Sequence, residues 1–263
     1  MEAAVLIILT LAVYLGLSDY LALGLLGRVK TRSGMVLGIG MVAVALHAML
    51  LHSWIDTPAG QNLSFFNMAS MVSWLICLML LVTLPFRQVA ALLAMALPVA
   101  ALSVALVPLI RDQALVDYHD RMQTLWHVFA SIAAYSVLAI AAVQAVVLAI
   151  LEYRLRHKKP GKANPLLPPL TSMESFLFHL IALGFVLLTA SLVTGWLYLD
   201  NAPGVRHKIV LSFVAWLIFG VLLAGRFFKG WRGRTAIRLT LAGFAVLMLS
   251  YFGTKLVLEF ILA

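Results

Sequence analysis

Histidine is the residue type in this chain best suited to bind a metal, and the chain has seven of them. His47 and His127 fall within long apolar stretches, each close to one end. An ionisable side chain inside a membrane segment indicates a functional site by default. Two imidazoles on separate helices can ligate haem iron from its two faces. The sequence therefore predicts His127 and His47 as iron ligands, with His207 as an alternative second ligand.

Other side chains near these histidines could complete a haem pocket. Three aromatic residues offer apolar walls: Trp126, Tyr135 and Trp216. Lys208, directly after His207, and Arg206 carry the positive charge that a porphyrin propionate would meet. A simpler interpretation stays open, because a membrane histidine often only hydrogen-bonds a neighbouring helix. Lys208 could likewise extend along its helix to the membrane surface.

The elements that position these residues must cross a membrane. Of the 263 residues, 63% are hydrophobic and only 11% are Asp, Glu, Lys or Arg, whereas a soluble domain has roughly 25% of these charged types. A spanning helix needs about 20 mostly apolar residues. Eight stretches qualify: 3–26, 35–53, 65–84, 89–110, 125–151, 173–199, 209–226 and 237–261. The predicted fold class is all-α, a polytopic membrane helix bundle of about eight transmembrane helices.

The charges in the loops predict the orientation of these helices. Fourteen of the 19 Lys and Arg residues fall in one set of alternate loops, while most Asp and Glu residues fall in the other. Cytoplasmic loops carry the excess of Lys and Arg, so both termini are predicted on the periplasmic side. The net charge of +9 then meets the lipid bilayer, and no nucleic-acid partner is expected.

The chain is expected to form one integral membrane domain over residues 1–263. A basic cytoplasmic hinge at about 152–172 would join helices one to five to helices six to eight. The single cysteine, Cys77, excludes a disulfide framework within the chain. An enzyme is not expected, because we find no nucleotide-binding loop, zinc-protease motif or plausible Ser-His-Asp arrangement.

Two other functions stay open on these residues. In a transport component, such as a permease subunit or an ion-transporter accessory, Asp19 and Asn67 would line a path across the bilayer. In a structural partner of another membrane protein, the histidines would only pack helices together. Asn67, Ser70, Trp74 and Cys77 share one helical face, which we predict to point inward.

Residues 125–135, around His127, resemble the histidine-bearing helix of the cytochrome c assembly family, the group of CcsA, CcmC and HemX proteins. Further segments resemble, in order, the family's glycine, lysine and tryptophan region and its C-terminal hairpin: Gly195 with His207, Lys208 and Trp216, then 230–234, then 251–253. The likeness covers most of the chain. It implies a haem-handling protein at the outer face of the bacterial inner membrane, with haem b as cofactor and His127 as a ligand.

The chain departs from the family pattern in two places. Haem-handling members carry a tryptophan-rich WWD segment between the equivalents of spans six and seven, whereas residues 196–206 here contain one Trp. Family members have a second histidine near the outer end of the last helix. This histidine is missing here, where the chain has residues 254–257. The resemblance therefore implies an accessory or regulatory, HemX-like role, in which His47 or His207 supplies the second ligand.

Overall fold

A computed structural model describes residues 2–58, 60–110, 114–116, 122–156, 168–198 and 205–253. Within these ranges, eight helices are long and apolar enough to cross a membrane, which confirms the predicted number. Backbone amides and carbonyls in lipid must be hydrogen-bonded within the protein, so apolar stretches of this length form helices. The chain divides into two compact units, one built from the first four helices and one from the last four.

The first unit is a closed four-helix bundle. Its helices are α1 (Glu2–Leu25), α2 (Ser33–Ile55), α3 (Phe65–Thr83) and α4 (Ala90–Leu109). α1 packs against α2 and α4, and α3 packs against the same two helices. Tyr14, Leu93 and Leu97 are fully buried in its interior. These large side chains fill the space between the four helices and so hold them together.

A proline in the middle of α4 is accommodated by a neighbouring helix. Pro98 has no backbone N–H, so it leaves the carbonyl oxygen of Ala94 without its usual helical partner. The hydroxyl of Ser18 on α1 donates to this oxygen at 3.0 Å. A polar side chain of α1 thus satisfies a backbone group that the α4 sequence leaves open.

Three short strands form a small sheet at one end of the first unit. The sheet joins the connection between α2 and α3 to the segment that follows α4. The strands are β1 (Asp56–Thr57), β2 (Gly60–Asn62) and β3 (Leu115–Val116). The pairing is antiparallel, with Asp56 opposite Gln61 and Gln61 opposite Val116. The side-chain oxygen of Asn62 also accepts a hydrogen bond from the N–H of Ala114 at 3.0 Å. The sequence predicts helices alone, because two or three residues are too few to show a strand pattern.

The second unit is also a closed four-helix bundle. It contains α5 (Met122–Arg156), α6 (Leu170–Tyr198), α7 (Val205–Lys229) and α8 (Arg234–Met248), which continues into a π-helical turn (Leu249–Gly253). α5 packs against α6 and α8, and α7 packs against the same two helices. Gly184 allows α5 and α6 to approach, because a Cβ there would lie 2.5 Å from Cδ2 of Leu138.

The division between the units differs from the expected grouping of five helices and three. α5 packs against α6 and α8, so it belongs to the second unit and the boundary precedes it. The predicted hinge at about 152–172 therefore connects two helices of one unit, and most of that segment lies outside the described residues.

Candidate functional site

His127 lies in the second turn of α5 and is held by α6. Its Nδ1 is 2.9 Å from the carbonyl oxygen of Ser191 and 3.3 Å from the hydroxyl oxygen of Thr194. A carbonyl oxygen can only accept a hydrogen bond, so Nδ1 carries the ring proton and donates it. The bond from α5 to α6 therefore sets both the tautomer and the orientation of the imidazole.

The other ring nitrogen of His127, Nε2, keeps its lone pair. The hydroxyl oxygen of Ser131 is 3.5 Å from it. That hydroxyl has one proton, and it lies only 2.7 Å from both the carbonyl oxygen of His127 and the hydroxyl of Ser191. Metal-ligating histidines usually donate one ring N–H to a carbonyl or carboxylate and ligate through the other nitrogen. His127 therefore fits an axial ligand of haem iron.

Three exposed aromatic side chains belong to the parts of α5 and α6 that hold His127. Trp126 and Phe129 of α5 are 63% and 67% exposed, and Trp196 of α6 is 81% exposed. At the edge of a membrane, such rings can cover an apolar ligand or meet lipid. The sequence predicts Trp126 as a site residue but not Phe129 or Trp196. No spacing in the sequence identifies these two residues, because side chains two positions apart on a helix do not share a face.

His47 lies in the interior of the first unit and is completely buried. Its Nδ1 is 3.0 Å from the hydroxyl oxygen of Tyr14 on α1, and its Nε2 is 2.8 Å from the hydroxyl oxygen of Ser70 on α3. A hydroxyl can donate or accept, so both ring nitrogens are satisfied in either tautomer. His47 therefore links three helices, and neither nitrogen offers a lone pair in this arrangement.

The sequence matches a family model over residues 37–262, and the family is described as cytochrome C assembly protein. The matched region contains both His47 and His127. The chain belongs to the cytochrome c assembly family. Inner membrane protein YpjD of Escherichia coli is 36% identical over 225 residues, which cover 84% of this chain and 85% of that protein. Together with the eight apolar helices, this likeness makes the chain a multi-pass protein of the bacterial inner membrane.

More distant members of this cytochrome c assembly family carry a functional description. Cytochrome c biogenesis protein CcsA of Chlamydomonas reinhardtii is 28% identical over 147 residues, 52% of this chain and 40% of that protein. The protein of the same name from Synechocystis sp. is 32% identical over 89 residues, 32% of this chain and 27% of that protein. No solved structure matches the chain. These findings confirm the family resemblance inferred from 125–135 and the later segments.

Tyr135 and Lys208, two further predicted site residues, both contact the ring of Tyr251. Lys208 Nζ is 5.5 Å from the centroid of that ring, and the centroids of Tyr135 and Tyr251 are 5.9 Å apart. The buried hydroxyl of Tyr135 donates to the carbonyl oxygen of Leu247 at 2.8 Å. Tyr135 therefore packs α5 against the end of α8, and the part of Tyr251 in this contact is not predicted from the sequence.

Trp216 is stacked between two other aromatic rings. Its ring centroid is 5.2 Å from that of Phe185 and 5.5 Å from that of Phe213. Its indole N–H donates to the hydroxyl of Thr189 at 2.8 Å, which links α7 to α6. Two other predicted site residues, at the start of α7, have side chains outside the described part of the structure: Arg206 and His207.

The polar face predicted on α3 does point into the first unit. Asn67, Ser70 and Cys77 are buried. The indole N–H of Trp74 donates to the carbonyl oxygen of Val44 on α2 at 2.9 Å. Most of these groups act within helix packing, as the interhelical-bonding alternative expects.

The structure does not bring Asp19 and Asn67, the residues of the transport alternative, together. Asp19 is exposed in the last third of α1, whereas Asn67 is buried in the first turn of α3. Because α2 connects the end of α1 to the start of α3, the two residues lie toward opposite ends of the unit. The Asn67 amide donates to the carbonyl oxygen of Asn62 at 3.0 Å, and its Oδ1 is a buried atom without a hydrogen-bond partner among the described residues.

Within the described ranges, no group of three or more His, Cys, Asp or Glu side chains could hold a metal ion. Two exposed histidines have local partners. His52 Nδ1 is 2.6 Å from the carboxylate of Asp56, and His179 Nδ1 donates to the carbonyl oxygen of Ser175 in its own helix at 2.7 Å. An iron that arrives inside a porphyrin needs only one or two axial side chains, so single histidines suffice for haem.

Proposed function

We propose that this chain binds haem at the end of the second unit where α5 begins and α6 ends, with His127 as an axial ligand. The observation that carries the proposal is the orientation of His127. Its Nδ1 donates to the carbonyl oxygen of Ser191, and its Nε2 keeps a lone pair. Family membership supports haem as the ligand, because the family is one of cytochrome c assembly and its CcsA members are cytochrome c biogenesis proteins.

The haem site faces the periplasm in this proposal. Fourteen of the 19 Lys and Arg residues lie in the connections at the other end of the predicted spans. The positive-inside rule places that end in the cytoplasm. The start of α5 and both chain termini are then periplasmic.

The second axial ligand comes from His207 in preference to His47. α7 begins at the end of the second unit where α6 finishes, so His207 is on the same end of that unit as His127. Both ring nitrogens of His47 are instead hydrogen-bonded inside the first unit. Ligation by His47 would leave Tyr14 or Ser70 without its partner.

The remaining residues hold and cover the ligand. Trp126, Phe129 and Trp196 are exposed on the two helices that hold His127 and would supply apolar rings to cover the ligand. Lys208 and Arg206, next to His207, supply charge for the propionates. Trp216 and Tyr135 hold the helices of the second unit together, because the indole N–H of Trp216 is bonded to α6 and the hydroxyl of Tyr135 to α8.

Haem b is the form proposed, because it needs no covalent attachment. Attachment to protein requires accessible cysteines in a CxxCH pattern, and the one cysteine, Cys77, is buried in the first unit. Bound haem would supply an iron centre, and the chain would orient it without catalytic groups of its own. An accessory or regulatory role fits residues 196–206, which contain one Trp in place of a tryptophan-rich segment.

The test is an absorption spectrum of the purified protein, oxidised and reduced, for the native chain and two variants. We expect a Soret band that is lost or shifted in His127→Ala and unchanged in His179→Ala. His179 is a matched control because its Nδ1 also donates to a carbonyl oxygen, while it lies about 18 Å from Ser191 along α6. Equal spectra for the two variants would contradict the role of His127. No band, even after reconstitution with haem, would favour the transport or structural alternative.

A further inference from the structure

The connection between α7 and α8 forms a well-anchored hairpin at the end of the second unit opposite His127. Gly230 and Gly233 have φ angles of 64° and 53°, in the left-handed region that favours glycine. Trp231 packs so closely on Gly225 that a Cβ there would collide with its indole ring. The N–H of Trp231 also donates to the carbonyl oxygen of Gly225 at 3.1 Å. The side chains around this hairpin are therefore held in defined positions.

One buried carboxylate, that of Glu174 in α6, anchors the hairpin. Arg232 approaches it with Nη2 at 3.0 Å, Arg226 with Nη1 at 3.6 Å, and the N–H of Gly233 lies 3.3 Å from it. Hydrogen bonding to Glu174, together with its charge, raises the pKa of Arg232. Arg226 also lies over the ring of Phe178, 4.6 Å from its centroid. Two arginines share this one carboxylate, so the cluster remains positively charged.

The same end of the unit has a larger excess of positive charge. Glu152 is already paired, with Arg156 at 3.2 Å and Arg234 at 3.8 Å. Lys229 and Arg238 are exposed, and neither forms an ion pair with a carboxylate of the described residues. The described residues at this end comprise two acids, Glu152 and Glu174, and seven cations: Arg154, Arg156, Arg226, Lys229, Arg232, Arg234 and Arg238.

Two exposed aromatic rings directly precede Lys229 at the end of α7. Phe227 and Phe228 are 84% and 79% exposed, and their ring centroids are 5.0 Å apart. Lys229 closes one apolar span and Arg234 opens the next. The cations therefore lie at the depth of lipid headgroups, with the two rings at the boundary of the acyl chains.

We propose that the α7–α8 hairpin is a binding site for an anionic phospholipid. Lys229 and Arg238 hold the headgroup phosphate, and Phe227 and Phe228 contact the acyl chains. Charge complementarity selects an anionic lipid, because the two acids nearby are already neutralised by arginines. An acidic protein would meet the same cations, but it would leave two adjacent apolar rings at membrane depth without a function.

The experiment measures lipid binding by the full-length chain in neutral-lipid nanodiscs titrated with phosphatidylglycerol. The hairpin variant is Lys229→Gln with Arg238→Gln, and the matched control is Arg28→Gln with Lys30→Gln, two exposed cations of the first unit. We expect the hairpin variant to weaken phosphatidylglycerol binding by roughly 30-fold. The control variant should bind as the native chain does.

A second pair of measurements separates the lipid from other sources of the effect. Lys229→Arg with Arg238→Lys keeps the charge and should retain binding, which distinguishes lost charge from lost fold. Inorganic phosphate alone should not compete at millimolar concentration, because it cannot use the two phenylalanine rings. Equal weakening in the hairpin and control variants would reduce the effect to general surface charge and overturn the site. Full competition by inorganic phosphate would also overturn it.

Discussion

The two units use a membrane histidine in opposite ways. In the first unit, His47 is buried and both of its ring nitrogens are hydrogen-bonded, to Tyr14 at 3.0 Å and to Ser70 at 2.8 Å. In the second unit, His127 donates from Nδ1 to Ser191 at 2.9 Å and keeps the lone pair of Nε2. The first histidine completes a bundle interior, and the second keeps one ring nitrogen available to a ligand.

The chemical nature of the partners explains this difference. Hydroxyl groups can donate or accept, so a pair of them satisfies an imidazole completely. A backbone carbonyl oxygen only accepts, so it fixes the proton on one nitrogen and leaves the other available. Burial alone does not separate structural from ligating histidines, since haem sites are themselves apolar. The partner of the second nitrogen is the more informative observation.

The largest expected effect is on the first unit. We expect His47→Leu to lower the free energy of unfolding by about 2 kcal/mol, because it leaves the buried hydroxyls of Tyr14 and Ser70 without a partner. The haem content should not change, since His47 is not a ligand in our proposal. Thermal unfolding in detergent and the Soret absorbance of the same samples measure both quantities.

A matched variant tests the reason for this loss. Adding Tyr14→Phe and Ser70→Ala to His47→Leu removes the stranded hydroxyls, and it should recover part of the stability because the site becomes uniformly apolar. If His47→Leu instead loses the Soret band while it remains folded, His47 is an axial ligand and the contrast between the two histidines is wrong.

A smaller effect is expected where glycines bring helices together. In Gly184→Ala the new Cβ would meet the side chain of Leu138, and in Gly40→Ala it would meet that of Leu81. Both leucines are fully buried and must shift to make room, so we expect each variant to lose about 1 to 2 kcal/mol of stability. Only Gly184→Ala should also weaken haem binding, because it changes the α5–α6 spacing that sets the bond of His127 to Ser191.

Gly38→Ala is the control for helix propensity, because no atom lies within 4 Å of the added Cβ. It should be neutral or slightly stabilising. Stability from thermal unfolding and haem affinity from titration give the two readouts. If Gly40→Ala and Gly184→Ala reduced haem affinity equally, the proposal that haem binds to the second unit alone would be wrong.

Helix positions could be predicted from the sequence because each span is a continuous apolar run, and lipid allows such a run few other structures. The inward face of α3 could be predicted from the spacing of Asn67, Ser70 and Cys77. The different surroundings of His47 and His127 could not, because Tyr14 and Ser191 are distant in sequence from the histidines they bond. Helical spacing also gave no reason to group α5 with the later helices.

Thr194→Val gives the smallest and most specific effect. The hydroxyl oxygen of Thr194 is 3.3 Å from Nδ1 of His127, a longer contact than the 2.9 Å to the carbonyl oxygen of Ser191. Valine keeps the shape of the side chain and removes this second acceptor, together with the bonds that the hydroxyl donates to the carbonyl oxygens of Ala190 and Ser191. Because the carbonyl oxygen still holds the ring proton, we expect haem affinity to fall by about threefold, below the tenfold or more usual for loss of a main outer-shell partner.

The matched control for that substitution is Thr83→Val in the first unit, which likewise removes a hydroxyl bonded within its own helix, to the carbonyl oxygen of Met79. Haem titration of the two variants should separate them, with affinity unchanged in Thr83→Val. A tenfold or greater loss in Thr194→Val would make the hydroxyl of Thr194 the main acceptor for Nδ1. The proton would remain on Nδ1 and the lone pair on Nε2, but the α6 side chain, and not its backbone, would then determine the orientation of His127.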